Sequence, residues 1–71
     1  MQIEYDPEAD AISIRFRDVK PSTARDVEAG LTVDLDEHRH VIGIELLDVS
    51  HRFSPHDVST ITFKNVLLPA S

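Results

Sequence analysis

The sequence predicts a mainly β, α+β fold: a small antiparallel β-sheet meander with one short C-terminal helix and a terminal strand or arm. Three observations predict it. Apolar and polar residues alternate with a period of two through several short stretches between Gln2 and Ser50. Turn-forming residues, among them Asp6-Pro7, Pro21 and Gly30, separate those stretches. After Ser50 the alternation gives way to Ser54-Pro55, a helix-start signal. The 71 residues suffice for one domain, residues 1–71.

The longest apolar run, Val41 to Ser50, is expected to be the central strand. Ile42, Ile44 and Leu46 alternate toward one side. Val41, Leu47 and Val49 fall on the other, interrupted by Gly43 and Glu45. A strand apolar on both faces is buried on both faces. Gly43 leaves room there for a neighbouring backbone or a large side chain.

The other elements follow in chain order. Gln2–Asp6 alternates, with Ile3 and Tyr5 on one side. Asp6-Pro7-Glu8-Ala9-Asp10 is a turn, since Pro7 presets φ and the Asp6 carboxylate can cap it. Residues 11–17 alternate again, with Ile12, Ile14 and Phe16 facing in, so the two stretches form a hairpin. Asp18 to Ser22 is a loop, and Pro21 ends pairing there. Residues 25–35 carry Val27, Ala29, Leu31, Val33 and Leu35 at odd positions. They form either one long bent strand or two strands meeting at Ala29-Gly30. Pairing Leu35 with Ile42 places Val33 against Ile44 and Leu31 against Leu46, with a Glu37–His40 loop between. Ser54 is the expected N-cap of a helix over residues 55–60, with Pro55 at its first position and Asp57 in its first turn. Ile61-Thr62-Phe63 alternates once more, and Val66-Leu67-Leu68 continues into a final strand or an extended arm that Pro69 stops.

Composition bounds function. Thirteen acidic residues against seven basic ones give a net charge of −6. That balance repels phosphate backbones, so no nucleic-acid partner is expected, while a basic protein surface would be attracted. The plainer reading is that acidity keeps a small protein soluble. The absence of cysteine excludes disulfides and thiolate metal sites and fits a reducing cytoplasm. No apolar stretch approaches the roughly 20 residues of a membrane span. The acidic, alternating start does not resemble a signal peptide. The expectation is a cytoplasmic protein without membrane partners. A chain of this size buries only about 60% of its unfolded surface, so a partner subunit would help stabilise it.

Three stretches together resemble a known family: Tyr-Asp-Pro-Glu-Ala-Asp-Ala-Ile-Ser-Ile-Arg-Phe at 5–16, Val-Asp-Leu-Asp-Glu at 33–37, and Val-Ile-Gly-Ile-Glu-Leu-Leu-Asp-Val-Ser at 41–50. They resemble the small prokaryotic proteins grouped as domain of unknown function 2283, from residue 3 to about residue 53. The resemblance implies a small β-rich cytoplasmic protein and supplies no catalytic residues. Members of that family sometimes lie beside genes for small toxin-like proteins, which points toward an antitoxin-like role. The family pattern has Asp-Gly in the tip before the last stretch. This chain has Glu37-His38-Arg39-His40, so His38 or Arg39 is expected to take the positive φ.

Few residue groups suggest chemistry. His38 and His40 are two apart and share a side of an extended chain, with Asp34, Asp36 and Glu45 nearby in the proposed register. A nitrogen–oxygen divalent site is conceivable. The plainer reading, a solvated hairpin tip, is stronger. Asp34, Asp36, Glu45 and Asp48 could be read as an acid–base cluster. Outward-facing Asp34 and Asp36 are better explained as neighbours of Arg15 and Arg17. Glu45, expected to be partly buried, needs a partner such as Arg25. His51 and His56 are read as surface residues. No cysteine is present, and no serine stands with histidine and carboxylate at telling spacing, so no enzyme activity and no cofactor are expected.

The leading expectation is a structural or interaction module that self-associates as a homodimer. Its interaction residues are Ile61, Phe63, Val66, Leu67 and Leu68, lying on the partner's sheet. The alternatives are an antitoxin-like inhibitor of a basic partner and a divalent-metal protein or hydrolase using His38 and His40.

Overall fold

The computed structural model describes residues 1–64. Five strands and two short helices follow in order: β1 Gln2–Asp6, β2 Ala11–Arg15, β3 Thr23–Glu28, β4 Leu31–Leu35, β5 Val41–Leu46, α1 Val49–Arg52 and α2 Pro55–Ser59. The strands make one antiparallel sheet in the order β1-β2-β5-β4-β3. The meander runs through β3, β4 and β5, and the β1–β2 hairpin joins the free side of β5. The longest apolar run thus supplies the middle strand, as expected.

The turns explain the strand limits. Asp6 Oδ1 accepts from the amides of Glu8 at 3.0 Å and Ala9 at 3.3 Å, which closes the first turn. Residues 25–35 are two strands rather than one, because Gly30 adopts φ 80° between them. Val27 sits at a bulge in β3 and is exposed, so the odd-position alternation breaks there.

The β4–β5 register matches the expectation at Val33–Ile44 and Leu31–Leu46 but not at Leu35, which lies opposite Val41. The tip is the reason. The Asp36 amide donates to the His40 carbonyl at 2.9 Å, and the Arg39 amide to the Asp36 carbonyl at 3.0 Å. Arg39 takes the left-handed conformation at φ 66°. This is a three-residue loop, Glu37 to Arg39, where four were expected. Ile42 becomes an extra residue in β5, and it is almost fully buried.

β5 ends at Leu46, four residues short of the expected Ser50. Asp48 turns the chain at φ 55°, and Val49 opens α1 with 0% exposure. The apolar character of Val49 reflects burial at a helix start, not continuation of the strand. β2 likewise ends at Arg15 rather than Arg17, although the Phe16 amide still donates to the Ile42 carbonyl at 2.8 Å. α2 begins as expected: Pro55 is its first residue, and the Ser54 hydroxyl accepts from the Asp57 amide at 3.2 Å. Residues 61–64 contain no strand, so the expected alternation at Ile61-Thr62-Phe63 does not enter the sheet. No helix among the described residues is long and apolar enough to cross a membrane.

Directly opposed residues in antiparallel strands share a sheet face. One face therefore carries two apolar rows, Ile3–Ile14–Ile44–Val33 and Tyr5–Ile12–Leu46–Leu31, ending at β3 in Arg25 and Glu28. The other carries Gln2–Arg15–Gly43–Asp34–Ala24 and Glu4–Ser13–Glu45–Thr32–Asp26. The second face is thus polar, a correction to the expectation of a strand apolar on both sides. Glu45 is exposed there and needs no buried partner; Arg25 lies on the opposite face. Gly43 has the expected purpose: an added Cβ would lie 2.9 Å from the Ile14 carbonyl oxygen.

Candidate functional site

The apolar face is incompletely covered. None of the residues in its two rows is fully buried, and Ile3 and Tyr5 at the β1 edge are 39% and 40% exposed. Phe53 and α2 overlie the β1–β2 end. They leave a groove of about 280 Å³ floored by Ile3, Ile12 and Ile14 and walled by Phe53, Val58 and Ile61. An adjoining cleft of about 430 Å³ lies between Tyr5 and Ser50 on one side and Pro55, Val58 and Ser59 on the other. Both hollows are mainly apolar in lining, which suits an apolar side chain better than a charged ligand.

A carboxylate fixes this region. Asp10 adopts φ 52° at the end of the first turn, and its Oδ1 accepts from the Tyr5 hydroxyl at 3.0 Å and the Ser50 amide at 3.0 Å. Its Oδ2 accepts from the Ser50 hydroxyl at 2.6 Å, and its carbonyl accepts from the Val49 amide at 3.1 Å. Asp48 stands at the N-cap position of α1 and makes no side-chain cap, so Asp10 satisfies those amides from across the chain. The Ser50 hydroxyl holds the Asp10 carboxyl below its usual range, with the Tyr5 hydroxyl adding to the effect. The bond to Asp10 in turn raises the Tyr5 phenol above its ordinary value. At the far end of α1, Arg52 donates to the carbonyls of Leu47 at 2.9 Å and Ala29 at 2.6 Å, which fastens the β3–β4 turn.

The β4–β5 tip is built by another carboxylate. Asp36, expected to face outward, is only 6% exposed. Its Oδ1 accepts from the amides of His38 at 2.8 Å and His40 at 2.9 Å, and Arg17 stands 3.5 Å from Oδ2. The burial follows from those two amides, which draw the side chain beneath the loop. The His40 amide is the main cause of an Asp36 carboxyl below its usual range. Arg17 pairs with Asp36 as expected, whereas Arg15 lies 3.8 Å from Asp18. A hollow of about 510 Å³ beside the tip has a mixed lining that includes Arg17, Val19, Pro21 and Asp36.

The sequence-predicted residues divide accordingly. His38 and His40 have ring centroids 6.5 Å apart, but no group of three metal-type side chains converges among the described residues. Asp34 and Glu45 lie on the polar face in neighbouring rows, while Asp36 is engaged at the tip and Asp48 in the turn before α1. Ile61 lines the groove and is 57% exposed; Phe63 is 70% exposed. Val66, Leu67 and Leu68 lie outside the described residues. Sequence reasoning missed Asp10, Ser50, Phe53 and Val58. A signal existed for the first two: Tyr5 and Asp10 belong to one stretch of the family resemblance and Ser50 to another.

A family model for proteins of unknown function, DUF2283, matches residues 2–50. The chain belongs to the DUF2283 family. The DUF2283 match spans the whole sheet and ends at Ser50, the residue that Asp10 holds. Tyr5, Asp10, Ser50 and the Asp36 tip lie inside the DUF2283 segment; Phe53, Val58 and Ile61 lie after it. No curated protein and no solved structure matches the chain significantly.

Proposed function

We propose that this chain is a small non-catalytic interaction module that self-associates, its apolar sheet face and the residues after α2 meeting those of a second copy. One observation carries the reading: no residue of the two apolar rows is fully buried, while Ile61, which lines the groove over them, and Phe63 further along the chain are more exposed still. A continuous apolar face of that kind marks an interaction surface. Its rows are aliphatic and aromatic with no charged group inside them until β3, which suits an apolar surface as partner. A small domain gains proportionately more than a large one from covering such a face.

Light scattering on the full chain and on a chain ending at residue 60 tests it. The full chain runs at twice the mass of one chain, and the shortened one becomes monomeric or aggregates. A full chain that remains monomeric at high concentration contradicts the reading.

The inhibitor reading has one observation of its own. The polar face presents Glu4, Asp26, Asp34 and Glu45 against Arg15 alone, so a basic protein would meet it favourably. Salt-sensitive binding to polylysine, lost on neutralising Glu4 and Glu45, would support that reading; no binding at low salt would remove it.

A further inference from the structure

The two edges of the sheet are built differently. β3 carries the devices that keep a strand edge from pairing: a bulge at Val27, the charges Arg25, Asp26 and Glu28 in close succession, and Pro21 just before it. The apolar rows end there in Arg25 and Glu28. β1 shares two of these devices, the charges Glu4 and Asp6 and a proline, Pro7, just after it, but not the bulge. It pairs with β2 without a bulge, contains no proline or lysine, and ends the apolar rows in Ile3 and Tyr5. Among the described residues no strand pairs with its outer edge, and its row ends are 39% and 40% exposed.

We infer that β1 pairs with β1 of a second copy, antiparallel about a two-fold axis through Ile3, so that two five-stranded sheets become one of ten strands. This rests on the self-association proposed above and specifies the edge that carries it. Symmetry limits the choices. A two-fold axis normal to the sheet places one residue opposite its own copy, and opposed side chains share a face. An axis at Glu4 sets two carboxylates against each other and Gln2 against Asp6. An axis at Tyr5 sets Glu4 against Asp6 and Ile3 against Pro7, which lacks an amide proton. An axis at Ile3 sets Ile3 against Ile3, Gln2 against Glu4 and Met1 against Tyr5. Of these three registers only the last has no like-charge pair among Gln2–Asp6. It pairs an amide donor with a carboxylate on the polar face, and on the other face it joins Ile14–Ile3 of each copy into one unbroken apolar row. The grooves beneath Phe53 and Val58 then stand side by side across the axis.

The lack of cysteine makes the test direct. Ile3→Cys places two thiols opposite each other within the roughly 4.4–6.8 Å Cα separation that a disulfide spans. Mild oxidation should give a covalent dimer of the full chain, and Val27→Cys on the other edge should not. Gln2→Glu should weaken dimerisation roughly threefold to tenfold by setting two carboxylate pairs across the axis. Adding Glu4→Lys should restore it. Gln2 and Glu4 are exposed, so neither change threatens the fold. A full chain that is dimeric by mass, yet gives no crosslink in the Ile3→Cys variant and is indifferent to Gln2→Glu, overturns the edge and leaves self-association standing. A full chain that stays monomeric overturns both.

Discussion

The two faces of the sheet are made by the same five strands and obey different rules. On the polar face, Glu45 and Ser13 stand side by side, open to solvent, and each side chain is free to change. On the apolar face, Ile14 and Ile44 stand one residue along those same strands, and each depends on what lies above it. A position in this chain is constrained by the face it reaches and less by its place in the sheet. Ile44 and Glu45 are consecutive residues of the central strand, yet substitution should separate them widely. Ile44→Asp puts an unpaired charge in the middle of an apolar row and should cost about 3 kcal/mol or more, enough to unfold so small a domain. Loss of the cooperative thermal transition would register it. A wild-type midpoint in that variant would show that the face is not apolar in its surroundings.

Gly43 is the exception on the polar face and sharpens the contrast. Its constraint is the Ile14 carbonyl beside it, not burial in an apolar layer. Gly43→Ala must push β2 away from β5 and should cost roughly 1–3 kcal/mol by denaturant titration, despite the mildness of the change. An unaltered midpoint would mean that the two strands leave room for a methyl group between them.

The acids divide in the same way. Those on the open face are replaceable, whereas Asp10 and Asp36 are bound into backbone amides at the turns. Both carboxyls lie below their usual range when folded. Their stabilisation is therefore complete above the ordinary carboxylate pKa near 4, and it is lost as pH falls through their lower folded values. Melting curves should show stability falling below about pH 4. Asp10→Asn and Asp36→Asn should each flatten that fall. Acid sensitivity equal to that of the unaltered chain in both variants would erase the distinction.

Smaller effects come from the tip and the open face. Arg39 holds a left-handed conformation that glycine adopts freely. Arg39→Gly should stabilise the protein by about 0.5–1 kcal/mol in the same titration. Glu45→Lys should change stability by no more than about 0.5 kcal/mol.

How much of this was legible in the sequence depended on distance along the chain. Period-two alternation gave the strands, the central place of β5 and two of the three expected β4–β5 pairs. Ser54-Pro55 gave the start of α2, because a helix cap is written within a few neighbouring residues. The tip was half-legible. The absence of glycine flagged a residue at positive φ and named Arg39 as one of two choices, but not the three-residue loop that bulges Ile42. Two features were hidden. Val49 continues an apolar run, and only the Asp10 carbonyl and carboxylate, far back in the chain, make its neighbourhood a helix start. Asp36 looks like an outward charge by alternation, and the amides that bury it belong to a loop whose geometry alternation does not encode. The groove residues Phe53 and Val58 escaped for the same reason: their meaning comes from the sheet beneath them.

The central claim is that the apolar face meets a second copy, and Ile3 at its β1 edge reports on it most directly. Ile3→Cys supplies the chain's single thiol, whose rate of reaction with a water-soluble alkylating reagent under reducing conditions can be followed across protein concentration. Slow labelling at high concentration, accelerating as the protein is diluted through dissociation, is the predicted result. A rate independent of concentration, in a chain that remains folded throughout, would contradict the account.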